Sequence, residues 1–431
     1  MSTSVRMYKV WAILLIVCLL LSGCGGGSQG KVSFMVFGDP AELAAYQKLV
    51  AAFEAKYPEV QVELRHVAGQ GDYQQQLVTA FSAGAEPDVM LLNYRRVLQF
   101  AARGGLEPVG AYLDQSQALH ATDFYPQALE AFQWDGQTWC VPQNISSLVV
   151  YYNRGLFDLA GLPYPADGWT WDDFLRTART LTSDLDGDGL IDQYGAGVSP
   201  ELFRLAPFIW QNGGALVDDP VQPSRLTLDS PAALDAFQWF VDLQVSQHVV
   251  PDAAAEQAES SENRFMNGRL AMFFNSRRGV PAYRTVAGLD WDVAPLPVGA
   301  LAAGILHSDA YCMAAKTGDK DSAWLLIEFA NSVEGQTLMA GTGRTVPSLM
   351  RVAESPAFLD PGQLPVSSRV FLDAIPLLRR VPLLPEWPRI EEIASREIER
   401  AFYGQVTVPE AAQSAISSTL PYFQSDQQGG D

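Results

Sequence analysis

The sequence segment with the clearest capacity for chemistry is an aspartate-rich loop near the middle of the chain. Its carboxylates, Asp184, Asp186, Asp188 and Asp192, stand at loop positions 1, 3, 5 and 9, and a glycine fills position 6. In a calcium-binding loop these positions direct oxygen ligands toward one centre. Position 12, which normally supplies a bidentate glutamate, is Gly195 in this chain. Two interpretations stay open: a structural Ca²⁺ site, and a turn with weak or absent metal occupancy.

A second group of side chains could bind a hydroxyl-rich solute. Flat aromatic faces pack against the C–H faces of a sugar ring, and planar polar groups bond the hydroxyls at its edge. The chain has 10 tryptophans and 15 tyrosines. Candidates at predicted loops and element ends are Asp39, Tyr73, Asn93, Asn144, Trp210, Asn275, Asp309 and Tyr311. The two aspartates could equally serve as turn or capping residues, and Trp210 could equally pack in a core.

Arginines could bind a charged or hydroxylated ligand just after the apolar segment 271–274, which continues as Asn-Ser-Arg277-Arg278. A guanidinium group can bond vicinal hydroxyls in a fork, or bind an acidic sugar or a phosphate. Arg277 and Arg278 are therefore candidate ligand contacts, although a solvated pair at a strand end is an equally good interpretation for one of them. Arg344 is a further candidate with the same ambiguity.

Alternating strand and helix patterns must position these side chains. The predicted order is strand, helix, strand, helix, strand, at residues 31–37, 43–53, 60–67, 74–83 and 89–92. Residues 70–73 are predicted to form a loop. This order indicates an α/β fold with a parallel sheet. Because ligands of such sheets bind beyond the carboxyl ends of the strands, Asp39 and Asn93 are expected at the rim of a cleft.

The first 24 residues have the pattern of an export signal. Two basic residues precede the apolar run Trp11–Leu21, and small residues separate this run from Cys24. The run is too short for a transmembrane anchor, which needs about 20 residues. Leu-Ser-Gly-Cys resembles the lipobox of bacterial lipoproteins, which implies removal of residues 1–23 and a lipid on Cys24 that holds the protein at the outer face of the cell membrane. Residues 24–30 would form a flexible tether.

The mature chain is strongly acidic. Loss of residues 1–23 removes Arg6 and Lys9 and no acidic residue, which leaves 27 basic and 49 acidic residues and a net charge of −22. Nucleic acid and anionic lipid headgroups require basic surfaces, so neither is an expected partner. About 400 residues with 48% apolar composition predict two domains rather than one.

Two cysteines, Cys140 and Cys312, remain in the mature chain besides Cys24. An oxidising compartment permits a disulfide between them, and two separate buried thiols are an equal alternative. No CxxC, HExxH or clustered Cys/His pattern occurs, so neither a zinc site nor dithiol chemistry is indicated. No cofactor is expected beyond the possible Ca²⁺.

Short segments along the whole mature chain occur in a characteristic order. They include Gly38-Asp-Pro40, Glu86-Pro-Asp-Val-Met90, Tyr151-Tyr-Asn-Arg154, Trp169-Thr-Trp-Asp-Asp-Phe174 and Gly268-Arg-Leu-Ala-Met272. Together they resemble the family 1 extracellular solute-binding proteins of ABC importers, the maltose-binding type. The resemblance implies two α/β lobes, a hinge that the chain crosses three times, and a carbohydrate clamped in the cleft between the lobes. It also implies a monomer without catalytic activity that delivers its ligand to the transmembrane subunits of an ABC permease.

The resemblance also sets the predicted lobes and one further contact. Residues 31–141 and 310–343 would form the N-terminal lobe, and residues 142–309 and 344–431 the C-terminal lobe. Trp387 lies where the maltose-type proteins place a stacking tryptophan, with a core position at a helix start as the alternative. The arginines after the apolar segment depart from the family pattern, which has an aromatic platform there.

A lipid-anchored carbohydrate-active enzyme, a glycoside hydrolase or lyase, is the alternative function. Glycoside hydrolases use paired carboxylates about 5 to 10 Å apart, and acidic residues are plentiful in this chain. No motif fixes such a pair. The sequence therefore favours a binding protein at the outer face of the cell membrane.

Overall fold

The computed structural model describes residues 30–424. The predicted signal, the lipidation residue Cys24 and all but the last residue of the predicted tether lie outside that range. Gly30, the last tether residue in the prediction, instead begins the first strand. Across residues 30–424, no helix combines the length and the apolar character that a membrane crossing requires.

Strands and helices alternate along much of residues 30–424. The strands, in chain order, are β1 (Gly30–Phe37), β2 (Val60–Val67), β3 (Val89–Asn93), β4 (Leu106–Glu107), β5 (Gln133–Trp134), β6 (Gln137–Thr138), β7 (Cys140–Pro142), β8 (Val149–Asn153), β9 (Tyr194–Gly197), β10 (Leu270–Asn275), β11 (Trp291–Ala294), β12 (Gly304–Ile305), β13 (Asp309–Ala314) and β14 (Leu378–Arg379). The first nine α-helices are α1 (Pro40–Lys56), α2 (Gln70–Ala83), α3 (Tyr94–Ala101), α4 (Gly110–Gln115), α5 (Pro126–Glu130), α6 (Arg154–Ala160), α7 (Trp171–Leu181), α8 (Leu202–Gln211) and α9 (Pro231–Val245). They are followed by α10 (Ala253–Ala258), α11 (Ser261–Met266), α12 (Val280–Arg284), α13 (Lys320–Ala330), α14 (Val333–Ala340), α15 (Met350–Ala353), α16 (Val370–Asp373), α17 (Trp387–Phe402) and α18 (Val408–Gln424).

The first sheet has the strand order β2-β1-β3-β13-β4, with β7 beside β13. Strands β1, β2 and β3 are parallel, and β13 runs antiparallel to β3, β4 and β7. The three strands predicted at 31–37, 60–67 and 89–92 are confirmed. Their buried faces form one half of the core, because parallel strands covered by helices expose little of either face.

Helix α2 begins earlier than the sequence pattern predicted. Residues 70–73 form its first turn rather than a loop. Gly69 precedes the helix in an extended conformation, and Asp72 places a carboxylate in the first turn, where the helix dipole favours negative charge. The earlier start places Tyr73 on a helix that packs on the sheet.

The second sheet has the order β11-β8-β10-β9. Strand β8 is antiparallel to β10 and β11, and β9 is parallel to β10. Helices α8, α9, α17 and α18 pack against one another on this side of the molecule. Helix α17 also contacts α3 of the first half, so the C-terminal helices reach across to the N-terminal strands.

Three chain segments connect the halves side by side. Residues 143–148 lead from β7 to β8, and residues 295–308 lead from β11 back to β13. Ser146 pairs with His307, and Asn144 pairs with Pro347 in the third segment. These antiparallel contacts give the hinge-like junction that the fold class requires, whereas the lobe boundaries themselves stay a prediction.

A disulfide joins Cys140 and Cys312. The two residues are directly opposite each other on the antiparallel strands β7 and β13, with their Cα atoms 4.5 Å apart. This separation lies within the range that a disulfide can bridge. Of the two interpretations that the sequence left open, the structure supports pairing.

Candidate functional site

A cavity of about 660 Å³ lies between the two sheets. Side chains from β3 and α3 line one wall, side chains from α8 and from the turn after β10 line the other, and the three connecting segments form the floor. Six of the predicted ligand contacts line this cavity: Asn93, Asn144, Arg277, Arg278, Asp309 and Arg344. Their role as ligand contacts stays a prediction, but their convergence from five separate parts of the chain is a property of the fold.

The floor of the cavity holds a compact polar cluster. Asn93 donates from Nδ2 to Oδ1 of Asp309 at 3.0 Å, and Asn144 donates from Nδ2 to Oδ2 at 3.3 Å. Oδ1 of Asn144 accepts from the Asp309 backbone at 3.1 Å. Asn93 ends β3, and Asp309 begins β13 beside it. The cluster therefore presents carboxylate and amide groups of fixed orientation, which suits bonding to hydroxyls.

Asp39 lies behind the cavity lining and acts as a helix cap. Its Oδ1 accepts from the backbone N–H groups of Ala41 and Glu42, and Glu42 bonds back to the Asp39 backbone, a capping box. Its Oδ2 lies 3.1 Å from Arg344 Nη1. Glu42, which sequence reasoning missed, lines the cavity and pairs with Arg344 Nε. Burial raises the pKa of Glu42 to about 7, against the opposing effect of Arg344 and with smaller contributions from Asp39 and Asp309.

The predicted aromatic contacts are buried in the two halves instead of lining the cavity. The Tyr73 hydroxyl donates to the Leu91 carbonyl at 2.8 Å, and the Tyr311 hydroxyl accepts from Gln143 at 2.6 Å. Trp210 is 6% exposed and Trp387 is fully buried. Among residues 30–424, no tryptophan or tyrosine lines the cavity. The structure therefore does not bring these four side chains to the cavity, because large rings gain more from burial against the helices than from a cleft surface.

Asn275 and Arg277 are also held by the protein itself. Asn275 is buried, and its Nδ2 donates to the Tyr283 hydroxyl at 2.8 Å. It does not reach the cavity, because the side chain belongs to a network with Glu262 behind β10. Arg277 is 2% exposed and its guanidinium group lies over the ring of Phe358 at 4.3 Å. Arg278 is half exposed and forms an ion pair with Glu262 at 3.4 Å.

Sequence reasoning missed two ion pairs that connect the region around α3 with the region around α17. Arg95 on α3 forms an ion pair with Glu391 on α17, and its guanidinium group lies 3.9 Å from the centre of the Phe203 ring. Arg103 and Glu386 form a second pair between the same regions of the chain at 3.1 Å. Arg95 lies two residues after Asn93, so its position beyond a strand end was the available signal. No sequence signal indicated its partner Glu391, which lies 296 residues later in the chain.

The aspartate-rich loop lies apart from the cavity. Oxygens of Asp184, Asp186 and Asp188 lie within 4.8 Å of one another, all exposed. Asp192 is not part of this group, since its Oδ2 accepts from the Leu185 backbone at 2.7 Å. Backbone N–H groups of two glycines lower the pKa of Asp184. Three carboxylates are compatible with a weak calcium site, and the same bonds also explain a metal-free turn, so Ca²⁺ binding stays a prediction.

Comparison with known proteins agrees with this architecture. The family model for bacterial extracellular solute-binding proteins matches residues 38–337. The chain belongs to this family. A maltotriose-binding protein of Pyrococcus abyssi is 23% identical to this solute-binding protein over 77% of this chain and 69% of its own length.

Solved structures share the fold over almost the whole chain. An ABC substrate-binding protein from Listeria monocytogenes in complex with cycloalternan has a TM-score of 0.83 and 22% identity, with 93% of this chain and 99% of that chain covered. UgpB from Mycobacterium tuberculosis in complex with glycerophosphocholine has a TM-score of 0.78 and 22% identity, with 92% and 99% covered. The two-lobed α/β fold of this solute-binding protein is thereby confirmed.

Replacing Trp387 by alanine should destabilise the protein rather than remove a ligand contact. The side chain is fully buried at the start of α17, and loss of a buried tryptophan costs about 3 to 5 kcal/mol. Urea unfolding followed by circular dichroism measures this loss. Trp134→Ala, at a side chain that is 36% exposed, is the control and should cost less than about 1 kcal/mol. Unchanged stability of Trp387→Ala would contradict the core position.

Glu42 should make stability fall as the pH rises. Because its pKa is about 7 in the folded protein and 4.5 ordinarily, the folded state binds more protons between these values, and its stabilising contribution is lost as the pH approaches and passes 7. Between pH 5 and pH 8 the wild type should lose up to about 3 kcal/mol relative to Glu42→Gln. Denaturant titrations at both pH values measure the difference. The control is Glu334→Gln, at an exposed position, which should have the same pH dependence of stability as wild type. If the free energy of unfolding of wild type and of Glu42→Gln changed in parallel with pH, the raised pKa of Glu42 would be refuted.

Proposed function

We propose that this chain is the substrate-binding component of an ABC importer and that it captures a carbohydrate or sugar derivative in the cavity between its two sheets. The observation that carries the proposal is a cavity lined by polar side chains from both halves and joined across by the ion pair of Arg95 with Glu391. A site built from two halves that share a three-segment junction can open and close around a solute.

The lining supports a small hydroxyl-rich solute. A volume of about 660 Å³ falls in the usual range for small-molecule sites, and Asn93, Asn144 and Asp309 offer donors and acceptors of fixed orientation. Among residues 30–424, the aromatic surface of the lining is limited to Phe37, Phe203 and the ring of His307. Recognition would therefore rely on hydrogen bonds and charge more than on ring stacking. The names of the maltotriose-binding relative and of the cycloalternan complex favour a saccharide.

Closure would couple binding to transport. A ligand shifts the open and closed populations only as far as it binds the closed form more tightly. The closed form would then dock on the transmembrane subunits of the permease, while a separate cytoplasmic subunit hydrolyses ATP. The protein would act as a monomer, held at the outer face of the membrane by lipid on Cys24.

The bonding of Glu42 favours binding over catalysis. A glycoside hydrolase needs one carboxylic acid that is free to protonate the leaving group. Glu42 has a raised pKa and lines the cavity, but one oxygen pairs with Arg344 and the other accepts from the Asp39 backbone. Asp309 is held by two asparagines. We therefore propose that the bound solute is not transformed.

A thermal-shift and calorimetry screen against mono-, di- and oligosaccharides and their derivatives tests this function. At least one compound should raise the melting temperature, because a ligand of the native state stabilises it. Asp309→Asn should weaken binding of that compound by about 10- to 100-fold, since a hydrogen bond to a charged group is lost. Asp235→Asn, an exposed residue on α9, is the control. Chromatography of the bound compound should recover it intact, and cleavage products would favour the enzyme alternative.

Lipid attachment is tested at Cys24. Cys24→Ser should abolish incorporation of a labelled fatty acid and move the protein from the membrane fraction to the soluble fraction, because the thioether-forming side chain is lost. Cys18→Ser, within the apolar run of the signal, is the matched control and should behave as wild type. Membrane retention of Cys24→Ser would count against the anchor.

A further inference from the structure

Arg204 has an uncompensated charge in the cavity wall. It lies near the start of α8 and lines the cavity. Its Nε and Nη1 atoms are buried and have no hydrogen-bond partner among residues 30–424. Within that part of the chain no carboxylate forms an ion pair with it; Glu201 is the main opposite charge acting on it and lies beyond 4.0 Å. Arg204 as a whole is partly exposed, but a guanidinium group with two buried and unpaired nitrogens is unfavourable unless a partner arrives.

The surroundings of Arg204 are electropositive. Burial and then the charges of Arg204, Arg95 and Arg278 lower the pKa of His307 well below its ordinary value. His307 is therefore neutral near pH 7. Its Nε2 is buried without a partner in the described part of the chain, and so is Oγ1 of Thr345. Both residues line the same cavity.

Four of the six acidic residues that line the cavity are engaged elsewhere. Glu391 pairs with Arg95 and accepts from Trp387 Nε1 at 3.0 Å. Glu392 accepts from Arg389 at 2.7 Å. Glu42 and Asp309 are held as described above. The other two are Glu399 and Glu201; Glu201 is the main negative charge acting on Arg204, but no salt bridge joins Glu201 to Arg204 within residues 30–424.

Helix α8 adds a favourable dipole at the same place. The helix runs from Leu202 to Gln211; Glu201 before it provides no side-chain cap, and Ser395 Oγ accepts from the Leu202 N–H at 3.0 Å. Residues 199–201, which lead into the helix, line the cavity together with Arg204. The positive end of a helix attracts anions, so the dipole and the guanidinium group act on the same volume.

We propose that the solute carries an oxyanion, a phosphate ester or a carboxylate, and that Arg204 binds it with help from Arg278, His307, Thr345 and the first turn of α8. This inference rests on the proposed function, because it names the chemical class of the solute that the cavity captures. The oxyanion accepts from the Arg204 guanidinium group, two of whose nitrogens have no partner within residues 30–424. The polar cluster around Asp309 binds the hydroxyl groups of the same solute.

The experiment compares matched anionic and neutral solutes on the purified protein. Three of the compounds share the glucose ring: glucose 6-phosphate, glucuronate and glucose. Two share the glycerol skeleton: glycerol 3-phosphate and glycerol. Inorganic phosphate tests binding of the oxyanion alone. We expect at least one anionic compound to bind at least tenfold more tightly than its neutral partner in calorimetry. That preference should shrink at high salt, since screening weakens attraction between charges. Comparison of the affinities for the phosphate compounds and for glucuronate shows whether the cavity prefers a phosphate or a carboxylate.

Arg204→Gln should remove this preference without harming the fold. In this variant the affinity for the anionic compound should fall at least tenfold. The affinity of Arg204→Lys should be intermediate, because lysine keeps the charge but loses the planar fork. The control is Arg351→Gln, at an exposed position, and its affinity should match wild type. Without ligand, Arg204→Gln should melt no lower than wild type, because it removes an unpaired buried charge. A lower melting temperature with unchanged preference would assign Arg204 a structural role and overturn the inference.

The outcomes separate the two proposals. Tight binding of neutral sugars that Arg204→Gln leaves unchanged would overturn the anionic solute and leave the importer function standing. Absence of binding by every compound in both panels would count against both.

Discussion

The junction where residues 144–146 pair with His307 and Pro347 is the constraint on which the rest of the structure depends. Three extended segments lie side by side there, and each continues into a different part of the molecule. Their short hydrogen bonds fix how the two sheets approach each other, while leaving a gap beyond the strand ends. Asp309 and Asn144 belong to this junction and also face the gap. The same residues therefore hold the fold and form the floor of the site.

Apolar and charged side chains occupy different places around the gap. The aromatic side chains fill the cores on either side, as Trp387 and Tyr311 show, whereas arginines and carboxylates line the space between. Most of the carboxylates are paired, as Glu391 is with Arg95. Arg204, by contrast, forms no ion pair within the described residues, and Glu201 is the main opposite charge acting on it.

Membership of the solute-binding family accounts for the fold more completely than for the ligand. Solved relatives at 22% identity share the architecture across more than 90% of this chain. Side chains that line the cavity come from turns and helix starts, such as Arg204 and Arg278, where substitution leaves the sheets intact. Recognition can therefore change while the fold persists.

The sequence by itself determined the alternation of strands and helices in the first part of the chain and the placement of Asn93 at a strand end, and it predicted the export signal, because each depends on residues that are close in the chain. The tertiary structure alone decided that Trp387 is buried, that Cys140 reaches Cys312, and that Arg204 and His307 line one cavity. These outcomes depend on contacts between segments that are far apart in the chain, 172 residues for the disulfide. The periodicity of a sequence shows which side chains lie on the apolar face of an element. Only the packing of the elements shows whether that face borders a core or a cleft.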